Sequence, residues 1–300
     1  MASKLQFFIG KGGVGKSTTA ALTALLTSVA HRETRLVSLD PAHNQSDIFQ
    51  RQFTEKPRSI CPRLRVMEVD TEYWVKQYLQ ETQTQIKKTY RYQSAFNLQD
   101  CFNILQFAPG LEEYAMLLAF EHIIQTSQDT EEIIFDMAPT ALTLRFFSLP
   151  SISLLWLEEL LKLRSRIYDK KEIISRIKLG PKNLEQDKVK TKLETMITDF
   201  KKLRALFQSP QTGVNLVLNP DTLSIAEARR IRTKLEHLGL KITRVIFNKV
   251  PPDGNAQKTR QVFKDLPWVR FPYSANNLKG LDELNRYIQI HPQISEILTS

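Results

Sequence analysis

A glycine-rich stretch near the amino terminus has the residue types and the spacing that phosphate binding requires. It runs from Gly10 to Thr18, fits the pattern G-x-x-x-x-G-K-[ST], and lies between an apolar run and an alanine- and leucine-rich run. Glycine lets backbone N–H groups close around phosphate oxygen atoms, and the start of the following helix adds unpaired donors and a partial positive charge. The pattern therefore predicts a nucleotide phosphate site between a strand and a helix. The alternative is a glycine-rich turn without a ligand.

The residues of this loop have different predicted roles. We expect the Lys16 ammonium group to contact the β- and γ-phosphates, and the Ser17 hydroxyl to be a ligand of Mg²⁺. ATP and Mg²⁺ are thus the predicted ligands. The residues expected to bind the nucleotide phosphates are Gly12, Gly13, Val14, Gly15, Lys16, Ser17 and Thr18.

Two aspartates come at the ends of apolar runs that are typical of buried strands. Asp40 follows Arg35–Leu39, and Asp136 closes Glu132–Asp136. Because the carboxyl ends of parallel strands form the ligand face of an open sheet, we expect both carboxylates near the phosphates. Asp136 is predicted to hold the Mg²⁺ shell opposite Ser17, and Asp40 to orient the attacking water. The alternative for Asp40 is a capping carboxylate without a chemical role.

The order of apolar strands and periodic helices predicts the fold that positions these residues. Strands alternate with helices along the chain, which favours a doubly wound, mostly parallel α/β sheet in a single P-loop ATPase domain over residues 1–300. Helical periodicity at about 73–126 and 151–208 predicts an inserted α-helical subdomain. Ordinary packing of these helices on the nucleotide domain is the alternative. The charge-rich run 164–192 contains a Gly-Pro pair and is predicted to be a mobile connection.

Composition and cysteine content are those of an ordinary soluble protein. Hydrophobic residues make up 42% of the chain and charged residues 25%. Cys61 and Cys101 lie far apart in the sequence, which predicts reduced thiols rather than a disulfide framework. The first residues lead directly into a strand without a signal peptide, and no run approaches a membrane span. We expect a cytoplasmic protein without an integral membrane segment; peripheral membrane association stays open.

The chain is basic, and part of its charge is concentrated in one segment. The formal net charge is +10 and the isoelectric point is near 9.5. Residues 151–208 contain 14 Lys and Arg side chains against 8 Asp and Glu side chains. Such an excess is compatible with nucleic acid, an anionic membrane or an acidic protein as a partner. A solvated helical face is the alternative.

Beyond the general loop pattern, the sequence resembles one group of nucleotide-binding proteins. Gly10–Ser17 reads G-K-G-G-V-G-K-S and is similar to the deviant Walker A class; Asp40–Asp47 and Asp136–Pro150 resemble the two switches of the arsenite pump-driving and tail-anchored-protein-targeting ATPases. The resemblance extends over nearly the entire chain. It implies an ATP hydrolase that works as a homodimer, in which Lys11 reaches the partner's nucleotide in the manner of an arginine finger. A solvated surface lysine is the alternative for Lys11.

The same resemblance implies roles for individual residues. Asp40 matches the catalytic position, and Asn44 matches a nucleotide-sensing position. Asn248 matches the residue whose amide reads the adenine base, since an amide can donate and accept at once. Pro272 and Tyr273 match the pair that flanks the base, with tyrosine in place of a leucine.

Two residues of the second switch depart from the family pattern. Ala141 stands where the family has glycine, and Leu142 stands where it has histidine. The loss of glycine restricts the backbone conformations that are open to the switch. This departure keeps a nucleotide-binding regulator with weak turnover as an alternative function.

The apolar stretch after the second switch carries the prediction of a biological role. Residues 152–167 are apolar on more than one helical face, which is typical of a helix that is buried on both sides or meets a partner. In the tail-anchored-targeting members the corresponding helices hold a client's transmembrane segment. The resemblance therefore implies a targeting factor or chaperone with a hydrophobic client helix and a membrane receptor. The alternative is a partition-type ATPase that binds nucleic acid through its basic segment.

Cysteine positions argue against two metal functions of the family. Targeting members join their dimer with zinc through a Cys-x-x-Cys pair between the adenine-reading Asn and the last strand, and residues 249–271 contain no cysteine. Arsenite-pump members bind the metalloid through three cysteines in each half of a duplicated chain. With two cysteines in all, this chain is expected to hold no zinc, and an arsenite-pump-like ATPase subunit is a disfavoured alternative.

Overall fold

The structure is a computed structural model, and it describes residues 3–89, 108–179, 187–251 and 257–294. The strands are β1 (Lys4–Ile9), β2 (Thr34–Ser38), β3 (Arg58–Cys61), β4 (Leu64–Glu68), β5 (Glu132–Asp136), β6 (Thr212–Leu218), β7 (Ile242–Val250) and β8 (Trp268–Pro272). The helices are α1 (Lys16–Val29), α2 (Asn44–Phe49), α3 (Thr71–Thr89), α4 (Leu111–Thr126), α5 (Thr140–Leu179), α6 (Lys188–Phe207), α7 (Thr222–His237), α8 (Gln257–Val262) and α9 (Leu281–Ile290).

The chain divides into two compact units. Met1–Phe146 and Pro210–Ser300 form the first unit, and Phe147–Ser209 forms the second. The helical subdomain expected from 73–126 and 151–208 stays a prediction. Cys101, one of the two cysteines expected to be reduced, lies outside the described part of the chain. The middle of the predicted helical run 73–126 lies outside it as well.

An eight-stranded sheet lies at the centre of the first unit, in the order β3-β4-β2-β5-β1-β6-β7-β8. β3 pairs with β4 in an antiparallel manner, and the other neighbouring strands pair in parallel. The strand order reverses on the two sides of β1, which is the topological switch point at which open α/β sheets bind ligands. The predicted doubly wound, mostly parallel α/β fold is confirmed.

Apolar packing on both faces of the sheet fixes the central strands. Phe7, Phe8 and Phe135 have no exposed surface, and the rings of Phe7 and Phe135 stack with their centroids 4.9 Å apart. Burial on both faces explains the near-continuous apolar runs that predict these strands. The ends of these strands therefore form a well-packed frame for the loops that follow them.

Strand register brings the two predicted carboxylates to the level of the phosphate loop. Asp136 pairs with Phe8 of β1 on one side and with Ser38 of β2 on the other. Phe8 lies two residues before Gly10, the first residue of the loop, and Ser38 lies two residues before Asp40. The three strands thus deliver the loop and both aspartates to one edge of the sheet.

The pairing of β7 with β8 is irregular at its carboxyl end. The register shifts between Phe247 and Val250, and Lys249 has a φ of 54°. A residue with a side chain rarely adopts this left-handed conformation. Register irregularities near functional sites change the direction of a side chain, and here Asn248 lies against the phosphate loop.

Helix α5 begins earlier than the sequence pattern indicates. It starts at Thr140 and continues through Pro150, whereas the periodicity places the helical run after that proline. Proline removes one backbone hydrogen bond from a helix interior. Phe146 and Phe147 lie directly before this turn and are 0% and 2% exposed. Their burial stabilises the helix against the lost hydrogen bond.

The prediction of a mobile connection at 164–192 is wrong over most of its length. Residues 164–179 belong to α5 and residues 188–192 to α6, and residues 180–186 lie outside the described part of the chain. Asp187 caps α6 and accepts hydrogen bonds from the backbone N–H groups of Val189 at 3.1 Å and Lys190 at 3.2 Å. Arg164 of α5 donates to both oxygen atoms of the same carboxylate, at 2.8 and 3.0 Å. The capping residue thus joins the two helices of the second unit.

One face of α5 is apolar and exposed. Leu155 and Trp156 are 69% and 70% exposed. The full set recurs at helical spacing and consists of Ile152, Leu155, Trp156, Leu160, Leu163 and Ile167. Thr140–Tyr168 is long and apolar enough to cross a membrane by length and composition, so the expectation that no run approaches a span is wrong by that measure. The core helix of a soluble protein passes the same test, and 33% of the apolar window is buried.

Candidate nucleotide-binding site

The phosphate loop depends on glycine at two positions. A Cβ atom at Gly10 would lie 2.2 Å from the carbonyl oxygen of Val217 in β6. Gly15 has a φ of 89°, and a Cβ atom there would lie 2.2 Å from the side-chain nitrogen of Asn248. Gly15 is also the amino-terminal cap of α1 and provides no side-chain acceptor. The first N–H groups of α1 therefore keep their capacity to bind an anion.

Lys16 places a buried cation in this loop. Its side chain is 5% exposed, and its ammonium group donates to the carbonyl oxygen of Lys11 at 3.4 Å. Burial lowers the pKa of Lys16, while the carboxylates of Asp136 and Asp40 act in the opposite direction. The ammonium group of Lys16 therefore interacts electrostatically with both aspartates.

Asp136 is the most deeply buried acidic group of the site, with no exposed surface. One oxygen, Oδ2, accepts a hydrogen bond from the Gln45 amide at 2.9 Å, and Oδ1 has no hydrogen-bond partner. Burial raises the pKa of Asp136 to about 7, although hydrogen bonds from Gln45 and Ser17 favour its ionised form. A carboxylate oxygen without a partner next to a serine hydroxyl is a donor set that suits a hard divalent cation.

Asp40 lies at the same edge and orders the loop that follows it. Its Oδ1 accepts a hydrogen bond from the N–H group of Ala42 at 3.1 Å, and its Oδ2 accepts one from the Asn44 amide at 3.5 Å. In this conformation Asp40 caps its own loop, which is the alternative role given above for this carboxylate. Its role in orienting water, and the nucleotide-sensing role of Asn44, stay predictions.

A pocket lies beside the loop and brings the predicted base-binding residues together. It has a volume of about 300 Å³ and contains Thr18, Asn248, Pro272 and Tyr273 in its wall. Tyr273 is 57% exposed. Asn248 is almost buried, and its side-chain amide donates to the carbonyl oxygen of Val14 at 2.8 Å. The carbonyl end of this amide stays available to a base.

The outer part of the loop carries the remaining predicted residues. Gly12 and Gly13 are exposed, and Lys11 is half-buried. The ammonium group of Lys249 donates to the carbonyl oxygen of Gly13 at 3.1 Å. Thr140, at the start of α5, donates to the carbonyl oxygen of Gly10 at 3.4 Å. The proposed reach of Lys11 to a partner's nucleotide is not tested by a single chain and stays a prediction.

Sequence reasoning missed two residues that contact the loop, Gln45 and Lys249. Gln45 shares a helical spacing with Ile48 and Phe49, which are both buried. A glutamine at the i position of an i, i+3, i+4 apolar face signals a buried amide, and this spacing could have identified it. Lys249 has no such signal, because its position depends on the irregular end of β7.

Helix α2 is also joined to the segment that precedes α9. The N–H group of Gly280 donates to the carbonyl oxygen of Ile48 at 2.7 Å. Ile48 and the segment before Gly280 both contribute to the wall of the 300 Å³ pocket. A backbone hydrogen bond therefore joins α2 to the wall of this pocket, where the predicted first switch and the predicted base-binding residues lie.

Known proteins with related sequences identify the family. The sequence profile of the anion-transporting ATPases matches residues 3–291. The chain belongs to the anion-transporting ATPase family. Since the members of this family are ATPases, the protein is an ATP hydrolase.

Curated relatives of this ATPase align over most of the chain. A protein of Aquifex aeolicus named as an arsenical pump-driving ATPase is 26% identical over 302 residues, 95% of this chain and 98% of that protein. An ATPase ASNA1 homolog of Entamoeba dispar is 30% identical over 256 residues, 83% of this chain and 77% of the relative. The ATPase get3 of Schizosaccharomyces japonicus is 28% identical over 314 residues, 97% of this chain and 93% of the relative. The resemblance inferred from the motifs is confirmed.

The described residues offer few protein groups to a metal ion. Within residues 3–89, 108–179, 187–251 and 257–294, no cluster of three or more His, Cys, Asp and Glu side chains is placed to hold a metal. A cation at Asp136 and Ser17 would therefore take its other ligands from nucleotide phosphates and water. That arrangement is typical of Mg²⁺.

Proposed function

We propose that this ATPase is a cytoplasmic, nucleotide-gated homodimer that targets or chaperones membrane proteins with a hydrophobic tail anchor. The observation that carries the proposal is the exposed apolar face of α5, in which Leu155 and Trp156 are 69% and 70% exposed. An apolar face of this kind on a soluble protein marks an interaction site. The relatives named ATPase get3 and ATPase ASNA1 homolog support a targeting role over other roles.

The proposed chemistry is hydrolysis of the bond between the β- and γ-phosphates. The loop amides and the Lys16 ammonium group hold the phosphate oxygens and stabilise charge that develops on the leaving ADP. Asp40 orients a water molecule for attack on the γ-phosphorus, and inorganic phosphate leaves. Lys11 of the partner subunit adds a positive charge that completes the site.

Magnesium fits the site that Asp136 and Ser17 form. Burial leaves Oδ1 of Asp136 without a hydrogen-bond partner, and the Ser17 hydroxyl is a second hard oxygen donor. When bound, Mg²⁺ would neutralise negative charge on the β- and γ-phosphates. The Gln45 amide orients the Asp136 carboxylate by donating a hydrogen bond to its Oδ2, at 2.9 Å.

Nucleotide gating would act through the two segments that follow Asp40 and Asp136. The first segment leads into α2 and includes Asn44, and the second leads into α5 through Thr140. ATP would order these segments, and release of phosphate would relax them. Asn248, with Pro272 and Tyr273, would hold the adenine base in the neighbouring pocket. The client surface belongs to α5, so hydrolysis would change its availability.

Co-purification with a client tests this proposal. We would co-express the chain with a protein that has one carboxyl-terminal transmembrane helix and purify both with ATP. A complex of two ATPase subunits with one client is expected, and ATP turnover should release it. The variant Leu155→Ser/Trp156→Ser should lose the client while ATP hydrolysis stays unchanged. Glu159→Ser, at an exposed polar position on the same side of α5, removes no apolar side chain and is the matched control; equal client binding by both variants would contradict the proposal.

A partition-type ATPase that binds nucleic acid is the second candidate, and the basic charge of residues 151–208 favours it. Part of this charge is neutralised within the unit, since Lys201 pairs with Glu158 at 3.7 Å and Lys202 with Asp199 at 3.4 Å. Binding of DNA that weakens steeply with salt would favour this candidate. ATP-driven dimerisation without client binding would then assign the basic segment to nucleic acid. An arsenite-pump subunit is the least supported role, because the cysteines it needs are missing from the sequence.

A further inference from the structure

Helix α2 buries a polar side chain at the site, in a position that the family resemblance did not assign. Gln45 is the second residue of α2 and has no exposed surface. Its amide nitrogen donates to the backbone carbonyl oxygen of Ser17 at 3.1 Å and to Oδ2 of Asp136 at 2.9 Å. Both N–H bonds of the amide are therefore used on the two residues that would hold the magnesium ion.

These two acceptors fix the orientation of the amide. An amide oxygen in the same place would face two acceptor oxygens, so the nitrogen must occupy it. The carbonyl oxygen of Gln45 is consequently a buried acceptor without a hydrogen-bond partner, and so is Oδ1 of Asp136. A buried acceptor without a partner lowers stability by about 1–3 kcal/mol. Two such acceptors on side chains that bond to each other indicate a site for a group rich in donors.

A hydrated divalent cation is such a group, because water in its shell is a strong hydrogen-bond donor. We propose that Gln45 is a positioning residue of the metal–nucleotide site. It holds the Asp136 carboxylate against the phosphate loop, and it supplies a second acceptor for the hydrated cation. The inference rests on the proposed magnesium site and adds to it the residue that couples that site to α2.

A simpler role for Gln45 would be to fasten α2 to the sheet. The two roles differ in what they predict, because fastening would affect folding and every form of nucleotide binding alike. A positioning role affects the binding of a cation and leaves nucleotide binding without metal nearly unchanged. The test must therefore measure cation binding directly and separate it from turnover.

The variants Gln45→Met and Gln45→Leu remove the amide and keep a side chain of similar volume. With the full-length chain and ADP, we would measure Mn²⁺ affinity by the electron paramagnetic resonance signal of the free ion. The expected loss is about 10- to 100-fold, which is the usual effect of removing a group that orients a metal ligand. ADP affinity in EDTA should change by less than about twofold, since the amide contacts the metal ligands rather than the phosphates.

A second buried glutamine provides the matched control. Gln6 of β1 is 3% exposed; it donates to Glu132 and accepts a hydrogen bond from the Asn215 amide at 2.9 Å. Gln6→Leu should lower the unfolding temperature without changing Mn²⁺ affinity. If it lowers Mn²⁺ affinity as much as the Gln45 variants do, the effect is general destabilisation and the proposal is overturned.

The remaining outcomes show whether the role of Gln45 or the proposed magnesium site itself is contradicted. Wild-type Mn²⁺ affinity in both Gln45 variants would show that Gln45 only fastens α2. Absence of nucleotide-dependent Mn²⁺ binding in the wild-type protein would overturn the magnesium site and the inference with it. Should both variants fail to fold, Gln45→Asn keeps an amide but shortens its reach; it should show the same loss of Mn²⁺ affinity, and retention would overturn the proposal.

Discussion

The side-chain amide of Asn248 donates a hydrogen bond to the carbonyl oxygen of Val14, at 2.8 Å, and so joins the end of β7 to the phosphate loop. The two residues are separated by most of the chain in sequence. The contact places the amide that would read the base directly against the backbone that would hold the phosphates. One ligand, with a base and a phosphate chain, would satisfy both elements at once.

Asn248→Ala should lower ATP affinity by about 30-fold, since one hydrogen bond to the loop and one to the base are lost, each contributing about 1 kcal/mol. Titration with a fluorescent ATP analogue measures the effect. Asn277→Ala, in the wall of the same pocket, should change affinity by less than about twofold. Equal losses in the two variants would show that the pocket does not depend on the Asn248 amide.

Gly15→Ala should destabilise the loop by about 1–3 kcal/mol, because a side chain at positive φ is strained. The new Cβ atom would also lie 2.2 Å from the Asn248 amide, which must then move. Thermal unfolding and ATP binding should both show a loss. Gly12→Ala is the control for stability, since a Cβ atom there meets no atom within 4 Å; an equal drop in its unfolding temperature would refute the steric explanation.

Cation affinity should depend on pH through Asp136, whose pKa is raised by burial to about 7. Below that pH the carboxyl group is protonated, and the proton competes with the metal. Mn²⁺ affinity in the presence of ADP should rise from pH 6 to pH 7, by nearly tenfold per pH unit below the pKa, and level off above it. In Asp136→Asn the affinity should be low at every pH. The same affinity at pH 6 and pH 8 in the wild-type protein would contradict the assignment.

The raised pKa of Asp136 also affects the stability of the protein without nucleotide. The folded state binds a proton more tightly than the unfolded state, whose carboxyl group has its ordinary value. This group therefore stabilises the fold below about pH 4, and that contribution is lost as pH rises through about 7. Urea unfolding of wild type and Asp136→Asn at several pH values measures the difference, which should widen with rising pH as the charged group becomes buried without a partner cation.

Lys11→Ala should lower kcat by about 10³-fold or more and leave ATP binding within about threefold, because the lysine would act on the partner's nucleotide. Lys16→Ala should instead abolish binding. Mixing the two inactive variants tests action in trans, since a mixed dimer contains one site with an intact loop and an intact partner lysine. Recovery of part of the activity on mixing is expected. No recovery, together with unchanged dimerisation, would assign Lys11 to its own subunit or to the surface.

Ala141→Gly/Leu142→His should raise the rate of ATP turnover, because it restores the residues that the family has in the second switch. Ala141 lies in the first turn of α5 and is exposed, so glycine should cost no more than about 1 kcal/mol of stability. Steady-state phosphate release measures the effect. An unchanged or lower rate would show that the departures do not limit turnover.

Much of the site follows from the sequence because its signals are local. Gly10–Thr18 has a fixed spacing, and Asp136 closes an apolar run, so local patterns are enough to place both at strand ends. Parallel pairing then brings them to one edge. The roles of these residues in hydrolysis still depend on the experiments above.

Other features depend on contacts between distant parts of the chain, which a local pattern does not contain. Helix α5 continues through Pro150 because buried phenylalanines precede it, although proline favours a boundary. Gln45 is buried because Ser17 and Asp136 accept its hydrogen bonds. The position of Asn248 depends on the irregular end of β7. In each case tertiary contacts decide the outcome.

The hydrogen bond from Gly280 to Ile48 has a consequence for how the protein distinguishes nucleotides. It links the wall of the pocket to α2, so a ligand that fills the pocket and favours one position of α2 would bias that helix even without a γ-phosphate. Thermodynamic linkage then requires the reverse effect, and any partner that prefers one position of α2 must change the affinity for ADP by the same factor. Through this one backbone bond, a partner protein could drive nucleotide exchange without touching the phosphates.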